Sequence, residues 1–516
     1  MEKYYYESSN VDNFESNVTF QELQDMNDSE FMKWCKLLRH EVQQQWDNDN
    51  IPATANFTEI SNVVKNWKKL RPYNTNDFLY EDTTDDECIG IVANYNKFAS
   101  GINQFFPTMG KTKITKAGEK VENSHSIYDY FVLPELESKF DVLMFQKVKR
   151  DVMYSFSKCV SDTYKEEYNV KSKSELFERF KNDEEQGIMV VSQKSDKEIL
   201  EGYLTVNKEE LKQLKEQGYI DNVLNTSCVA EIEDLEDSFT LKSGETRYNN
   251  FMVKIYERKP KMFPAIFQVF KLSLGQPAVN FPPLTAKFLY EYYTQHIPGK
   301  VTIYDPSSGW GGRILGAMSS QKRTHYVGTD PNPDNFIDEI GISRYEYVSN
   351  FFNENCIGEF DEPNTCHIFQ SGSENISEHP DFQKYKGNLD FVFTSPPYFN
   401  REQYSQDENQ SFKKFGAYED WKENFLRPTL TNAFNSLKND RYLAWNIANI
   451  KVPKGYIELE EDSKEILIGL GAEYKGKWKM LMSKMIGLDN ETESLNSVVF
   501  KGSHTKYEPI FIFYKC

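Results

Sequence analysis

The chain has 516 residues, of which 39% are hydrophobic and 27% charged, and its formal net charge is −19. That length exceeds one compact core and calls for two or three domains. The acidity excludes a protein that holds nucleic acid by its overall field, because phosphate charge has to be neutralised, so any such binding falls to local basic patches.

Most of the negative charge lies in residues 1–250, which hold 30 Lys and Arg against 46 Asp and Glu. Helical stretches such as Glu30 to Gln45 and Leu143 to Tyr164 alternate there with loops rich in Asn, Thr and Asp. Lys65, Lys68, Lys69 and Arg71 are interleaved with Trp67 and Tyr73, and Lys111, Lys113, Lys116 and Lys120 follow Phe105 and Phe106. Cations beside aromatic rings suit nucleic acid, although a solvated helix face explains such clusters more often. Asn207 to Gly218 reads as a surface helix stopped by glycine. The apolar run Phe251 to Tyr256, followed by Pro260 and Pro264, reads as a strand near a domain boundary. The expected division is therefore an accessory or target-recognition region at 1–250, helical and mixed in character, and a second domain at 251–516.

Within the second domain a strand, Val301 to Tyr304, runs into a glycine-rich turn, Asp305-Pro306-Ser307-Ser308-Gly309-Trp310-Gly311-Gly312, before a helical segment. Glycines there let the backbone approach a ligand, and a helix start offers free N–H groups. The next strand, His325 to Thr329, ends at Asp330, 18 residues beyond Gly312, a spacing that suits a carboxylate on ribose hydroxyls. Strands ending at Tyr304, Thr329, Phe369, Phe393 and Ile447 alternate with helices, which predicts an α/β fold with a doubly wound, mostly parallel sheet. Ligands of such sheets lie at the carboxyl ends of the strands.

Phe391, Val392 and Phe393 read as a buried strand stopped by Pro396 and Pro397. In the turn Thr394-Ser395-Pro396-Pro397-Tyr398, the Ser395 hydroxyl and the Pro396 carbonyl can accept both N–H bonds of a planar amine, with Tyr398 stacking on its ring. Taken singly, the glycine turn also suits an ordinary strand-to-helix connection, and the proline turn an ordinary strand end. Their order and spacing make the joint coincidence much harder to dismiss. Gly309 and Ser395 are 86 residues apart, too few for a large recognition domain between them.

In this order the motifs resemble the S-adenosylmethionine-dependent DNA amino-methyltransferases, which act on cytosine N4 or adenine N6. The resemblance covers roughly the last half of the chain and implies a seven-stranded-type methyltransferase sheet whose last strand, Lys506 to Tyr514, closes an edge hairpin. It implies that Asp305, Ser307, Gly309, Gly311, Gly312, Asp330 and Thr394 serve the cofactor and that Ser395, Pro396, Pro397 and Tyr398 are catalytic. Phe281 and Pro282 correspond to the element packed on the methionine part of the cofactor. Ser373 or Glu374 stands where the family's acidic or polar side chain meets the adenine, the usual Asp being absent. A serine at the first position of the tetrapeptide goes with N4-cytosine enzymes, an Asp or Asn with N6-adenine enzymes. The partner implied is double-stranded DNA with a flipped-out base; the setting, restriction-modification or phage, and any nuclease or recognition partner stay open. Adenine N6, an RNA amine, and a non-catalytic nucleic-acid-binding protein that kept the fold are the alternatives; the departure at Ser371 to Glu374 motivates the last.

The seven cysteines are scattered without a Cys-x-x-Cys pair, which argues against a disulfide framework or a cysteine zinc site and fits a cytoplasmic protein. No Pro-Cys dipeptide occurs, so the covalent route of cytosine C5 methylation is disfavoured. No run of 18 apolar residues is present, and no membrane span is expected. Direct transfer to an amine fits, since positioning supplies much of the acceleration, and residues Phe399 to Phe415 are expected to form a mobile loop over the site.

Overall fold

The computed structural model describes residues 4–6, 11, 13–47, 60–93, 98, 101–114, 124–146, 186–194, 203–216, 220–225, 228–230, 238–240, 246–248, 250–257, 279–356, 362–405, 407–452, 455–484 and 496–516. Its contacts divide the chain into two compact units, one of Met1–Asn10, Val42–Ser138 and Leu274–Cys516, the other of Val11–Glu41 and Lys139–Ser273.

The larger unit is built on a sheet of ten strands: β1 (Leu79–Tyr80), β2 (Cys88–Val92), β3 (Val301–Asp305), β4 (Thr324–Thr329), β5 (Thr365–Phe369), β6 (Leu389–Thr394), β7 (Leu437–Asn446), β8 (Glu473–Lys484), β9 (Ser497–Phe500) and β10 (Ser503–Lys515). Across the sheet the order is β1-β2-β8-β10-β7-β6-β3-β4-β5, with β9 on β10. Strands β5, β4, β3, β6 and β7 are parallel neighbours, and β10 runs antiparallel between β7 and β8. The chain winds outward from β3 to β4 and β5, then returns to β6 and β7 on the other side. That reversal opens a crevice at the carboxyl ends of β3 and β6.

The apolar sequence of β6 explains its central place. All six of its residues are buried, as a parallel strand covered on both faces requires. Phe391, Val392 and Phe393 are each 0% exposed, and burial of that kind is worth about 1.5–3 kcal/mol per side chain. Asp390, the one charge in the strand, accepts from the Thr302 backbone N–H at 2.8 Å and pairs with Lys438 at 2.7 Å.

The division expected at residue 250 is drawn elsewhere. Residues 60–114 belong to the larger unit: β2 runs parallel to β8, and β1 pairs with β2. Trp67 is buried and stacks on Phe352, and Arg71 donates to the Ser320 carbonyl. The first basic cluster is therefore an amphipathic helix, Ile60–Leu70, whose aromatic ring faces the core while Lys65, Lys68 and Lys69 are exposed. In the second cluster, Lys111 pairs with Asp334 at 3.9 Å and Lys113 with Asp129 at 3.2 Å. Lys116 and Lys120 lie outside the described residues.

The smaller unit carries a five-stranded sheet in the order Tyr203–Val206, Asn250–Glu257, Gln186–Lys194, Ile220–Asn225, Cys228–Ala230. The strand expected at Phe251 to Tyr256 is present, but its antiparallel ladder with Gln186–Lys194 ties it to this unit and not to the larger sheet. The helix expected at Asn207 to Gly218 runs from Lys208 to Glu216. Most of the helix expected between Leu143 and Tyr164, with Pro260 and Pro264, lies outside the described residues. Among the described residues no helix is long and apolar enough to cross a membrane.

Candidate active site

One cleft of the larger unit brings together the ends of β3, β4 and β6, with about 1220 Å³ of empty space including its open mouth. Its walls include Ser307, Ser308 and Gly309 after β3, Asp330 after β4, and Ser395, Pro396, Pro397 and Tyr398 after β6. Phe281, Pro282, Ser373 and Glu374 also line it. Asp305, Gly311, Gly312 and Thr394 do not line it; they stand behind its wall.

Asp305 is 1% exposed and fully occupied by the protein. Its carboxylate accepts from the Ser307 backbone N–H at 3.1 Å, Arg313 Nε at 2.7 Å, the Tyr326 hydroxyl at 2.5 Å and Thr394 Oγ1 at 2.6 Å. A buried ion needs such company, because an unpaired charge out of water is costly. Burial works against the Arg313 cation, but Asp305 outweighs it and holds the guanidinium above its ordinary value. The same guanidinium also donates to the Ser307 carbonyl. The network fastens the ends of β3, β4 and β6 to one another.

The glycines divide in the same way. Gly309 has φ +65° and borders the cleft, and a Cβ there would fall 3.2 Å from the Arg313 guanidinium. Gly311 has φ +87°, and a Cβ there would fall 2.4 Å from the Phe106 ring; a Cβ on Gly312 would fall 2.1 Å from the Phe281 carbonyl oxygen. Those two are small because protein packs against them. Asn280, which the sequence did not single out, organises the turn: its side chain accepts from the Gly312 N–H at 2.9 Å and donates to Asn103 at 2.8 Å.

Asp330 is 9% exposed, with Oδ1 accepting from the Asn332 N–H at 2.9 Å and Oδ2 from the Tyr345 hydroxyl at 2.6 Å and Asn335 at 2.5 Å. Burial raises its carboxyl above the usual range against the lowering pull of those donors. A carboxylate has about four acceptor positions, so one remains for a ligand. Ser308, 2% exposed, has a buried hydroxyl without a hydrogen-bond partner on the same wall. An orphaned hydroxyl and a carboxylate with spare capacity fit a cofactor carrying a ribose and polar groups. Ser373 is spent on Thr429 at 2.9 Å and Glu374 on Lys414 at 2.8 Å, so these two reach the cleft already paired.

In the same cleft the proline turn meets residues that the sequence placed elsewhere. The Tyr398 hydroxyl is buried beside the Ser395 hydroxyl. Phe399, just after it, has φ +48° and is buried against Tyr418 and Trp421. The segment expected as a mobile loop is anchored: Glu402–Gln403 pairs with Lys113–Ile114, and Gln410 and Ser411 are buried. Glu402 and Glu508 line the cleft beside Ser395 and Tyr398. Glu508 lies on the strand read as closing the sheet's edge, just ahead of the apolar run Ile510 to Phe513.

No protein-family model matches the sequence, and no curated protein matches it either. Among solved structures the chain is similar to a putative RNA methyltransferase from Pyrococcus horikoshii, at 13% identity over 47% of this chain and 90% of that one, with a TM-score of 0.25. It is similar to a precorrin-6y C5,15-methyltransferase from Geobacter metallireducens at 9% identity, over 46% and 90% of the two chains, TM-score 0.26. A SAM-dependent O-methyltransferase from Thermotoga maritima matches at 10% identity over 57% and 86%, TM-score 0.25. Overlap this slight assigns no activity.

Proposed function

We propose that this chain is an S-adenosylmethionine-dependent methyltransferase acting on the exocyclic amine of a base in DNA, cytosine N4 before adenine N6. The observation that carries the reading is the sharing of one cleft by the Ser395-Pro396-Pro397-Tyr398 turn, Asp330 and the Ser307-Ser308-Gly309 turn. Asp330 and Ser308 hold the polar groups of the cofactor, which when bound supplies an electrophilic methyl group. The Ser395 hydroxyl and the Pro396 carbonyl accept the two N–H bonds of the target amine, orienting its lone pair for in-line attack. Tyr398 stacks on the base ring, whose entry requires that a duplex base be flipped out. The amine gives up its proton after transfer, to solvent. Cytosine is placed first because Ser395 occupies the position that N6-adenine enzymes of the resembled family fill with Asp or Asn.

Calorimetry with S-adenosylmethionine, on the whole chain and on Asp330→Ala, tests the cofactor half of this reading. Micromolar binding that the substitution abolishes supports it, and equal heats for both proteins overturn it. Incubation with labelled cofactor and DNA, followed by nucleoside analysis, tests the rest; a parallel reaction on RNA separates the two polymers.

A further inference from the structure

The cleft holds two acidic side chains that binding of an amine to Ser395 and Pro396 leaves without a task. Glu402 comes from the short strand Glu402–Gln403, and Glu508 from the middle of β10, where it sits opposite Met480 in the ladder with β8. Both line the cleft with Ser395 and Tyr398. Glu402 accepts a hydrogen bond from the Tyr404 hydroxyl and so is held as an acceptor. Glu508 makes no side-chain hydrogen bond among the described residues. With no side-chain partner of its own, Glu508 brings unmet polar capacity to the cleft.

Resting on the methyltransferase reading above, we propose that Glu508 is a specificity-determining residue, a neutral carboxylic acid donating its proton in a hydrogen bond to the ring nitrogen beside the target amine. Cytosine N3 and adenine N1 are acceptors at that position, whereas guanine carries an N–H on the Watson–Crick side of its amine, which would meet the acid donor to donor. The site thereby selects amidine-edged bases. The charges facing Glu508 support its neutral state: burial is the main cause, Glu402 adds to it, and Arg401 opposes it, leaving the Glu508 carboxyl raised to about 7. Glu402 is itself raised by burial, against Tyr404, Arg401 and Arg313. Two interacting carboxyls titrate as a pair, and burial with Glu402 alongside favours the protonated form of Glu508.

The test is methyl transfer from labelled S-adenosylmethionine to amplified, unmethylated DNA by the full chain and by Glu508→Gln and Glu508→Ala, between pH 6 and pH 8, with nucleoside analysis and cofactor calorimetry on each protein. The acid is lost as pH rises through about 7, so the unmodified chain should slow about tenfold across that range. Glu508→Gln keeps a donor that does not titrate; it should match the unmodified chain at pH 6 and show a flat profile. Glu508→Ala should fall at least about tenfold at pH 6 with cofactor binding intact. A pH profile in Glu508→Gln that follows the unmodified chain, full activity in Glu508→Ala, or label on guanine would overturn the role of Glu508 and leave the methyltransferase reading standing. No transfer to any base by the unmodified chain would overturn both.

Discussion

The hydroxyl of Thr394 donates to Oδ1 of Asp305 at 2.6 Å, joining the last residue of β6 to the last residue of β3. Both side chains are buried, so this bond fixes the proline turn against the glycine turn without touching the cleft. Thr394→Val should remove one donor from a buried carboxylate and cost about 1–3 kcal/mol of stability, read by denaturant unfolding. Thr394→Ser should retain most of it. A Thr394→Val protein as stable as the unmodified chain would show that the network does not hold the two strand ends together.

Gly311 connects the glycine turn to residues 101–114. Gly311→Ala puts a methyl group against Phe106 at a positive φ, and should cost about 1–3 kcal/mol. Gly299, also at positive φ but with open space around it, provides the control: Gly299→Ala should cost less in the same unfolding experiment.

A chain beginning at residue 251 discards β1 and β2, the buried Trp67 and the Phe106 contact with the glycine turn. It should fail to give a cooperative thermal transition or fixed aromatic circular dichroism. A fully folded, cofactor-binding fragment from 251 would contradict the assignment of residues 42–138 to the larger unit.

His325 bonds to Thr365 and to the Tyr385 hydroxyl, each at 2.9 Å, and burial first, then Lys300, His367 and Lys384, lower its imidazole from its ordinary value to about 4. The folded state therefore binds fewer protons than the unfolded chain between about pH 4 and 6.5. Its contribution to stability is complete above the unfolded value and is lost as pH falls through that window. The stability difference between the unmodified chain and His325→Gln should shift against the unmodified chain on going from pH 7 to pH 4.5. A difference that does not vary with pH would mean that the imidazole is not kept neutral.

What the sequence made legible was local. The strand into Pro396 and Pro397, the glycine turn and the carboxylate at Asp330 follow from runs of adjacent residues, and their order set the winding of the sheet. The roles of Asp305, Thr394, Gly311 and Gly312 were displaced by one layer: the sequence marks them as special, but only tertiary contacts show that their partners are Arg313, Tyr326, Phe106 and Phe281. Two strands as short as Leu79–Tyr80 and Cys88–Val92 carry no periodicity, so the share of residues 42–138 in the sheet could not be read. Glu508 and Asn280 reach the cleft from far along the chain, and no short-range pattern announces such a meeting.

The proposed division of roles in the cleft gives Ser395 the amine and gives Asp330 and the glycine turn the cofactor. A single-turnover measurement of methyl transfer to DNA by Ser395→Ala, set beside its S-adenosylmethionine affinity, tests it most directly. Cofactor affinity should be unchanged, the transfer rate reduced about tenfold or more, and N4-methylcytosine the product of the unmodified chain. Transfer at the full rate by Ser395→Ala, or a product confined to N6-methyladenine, would contradict it.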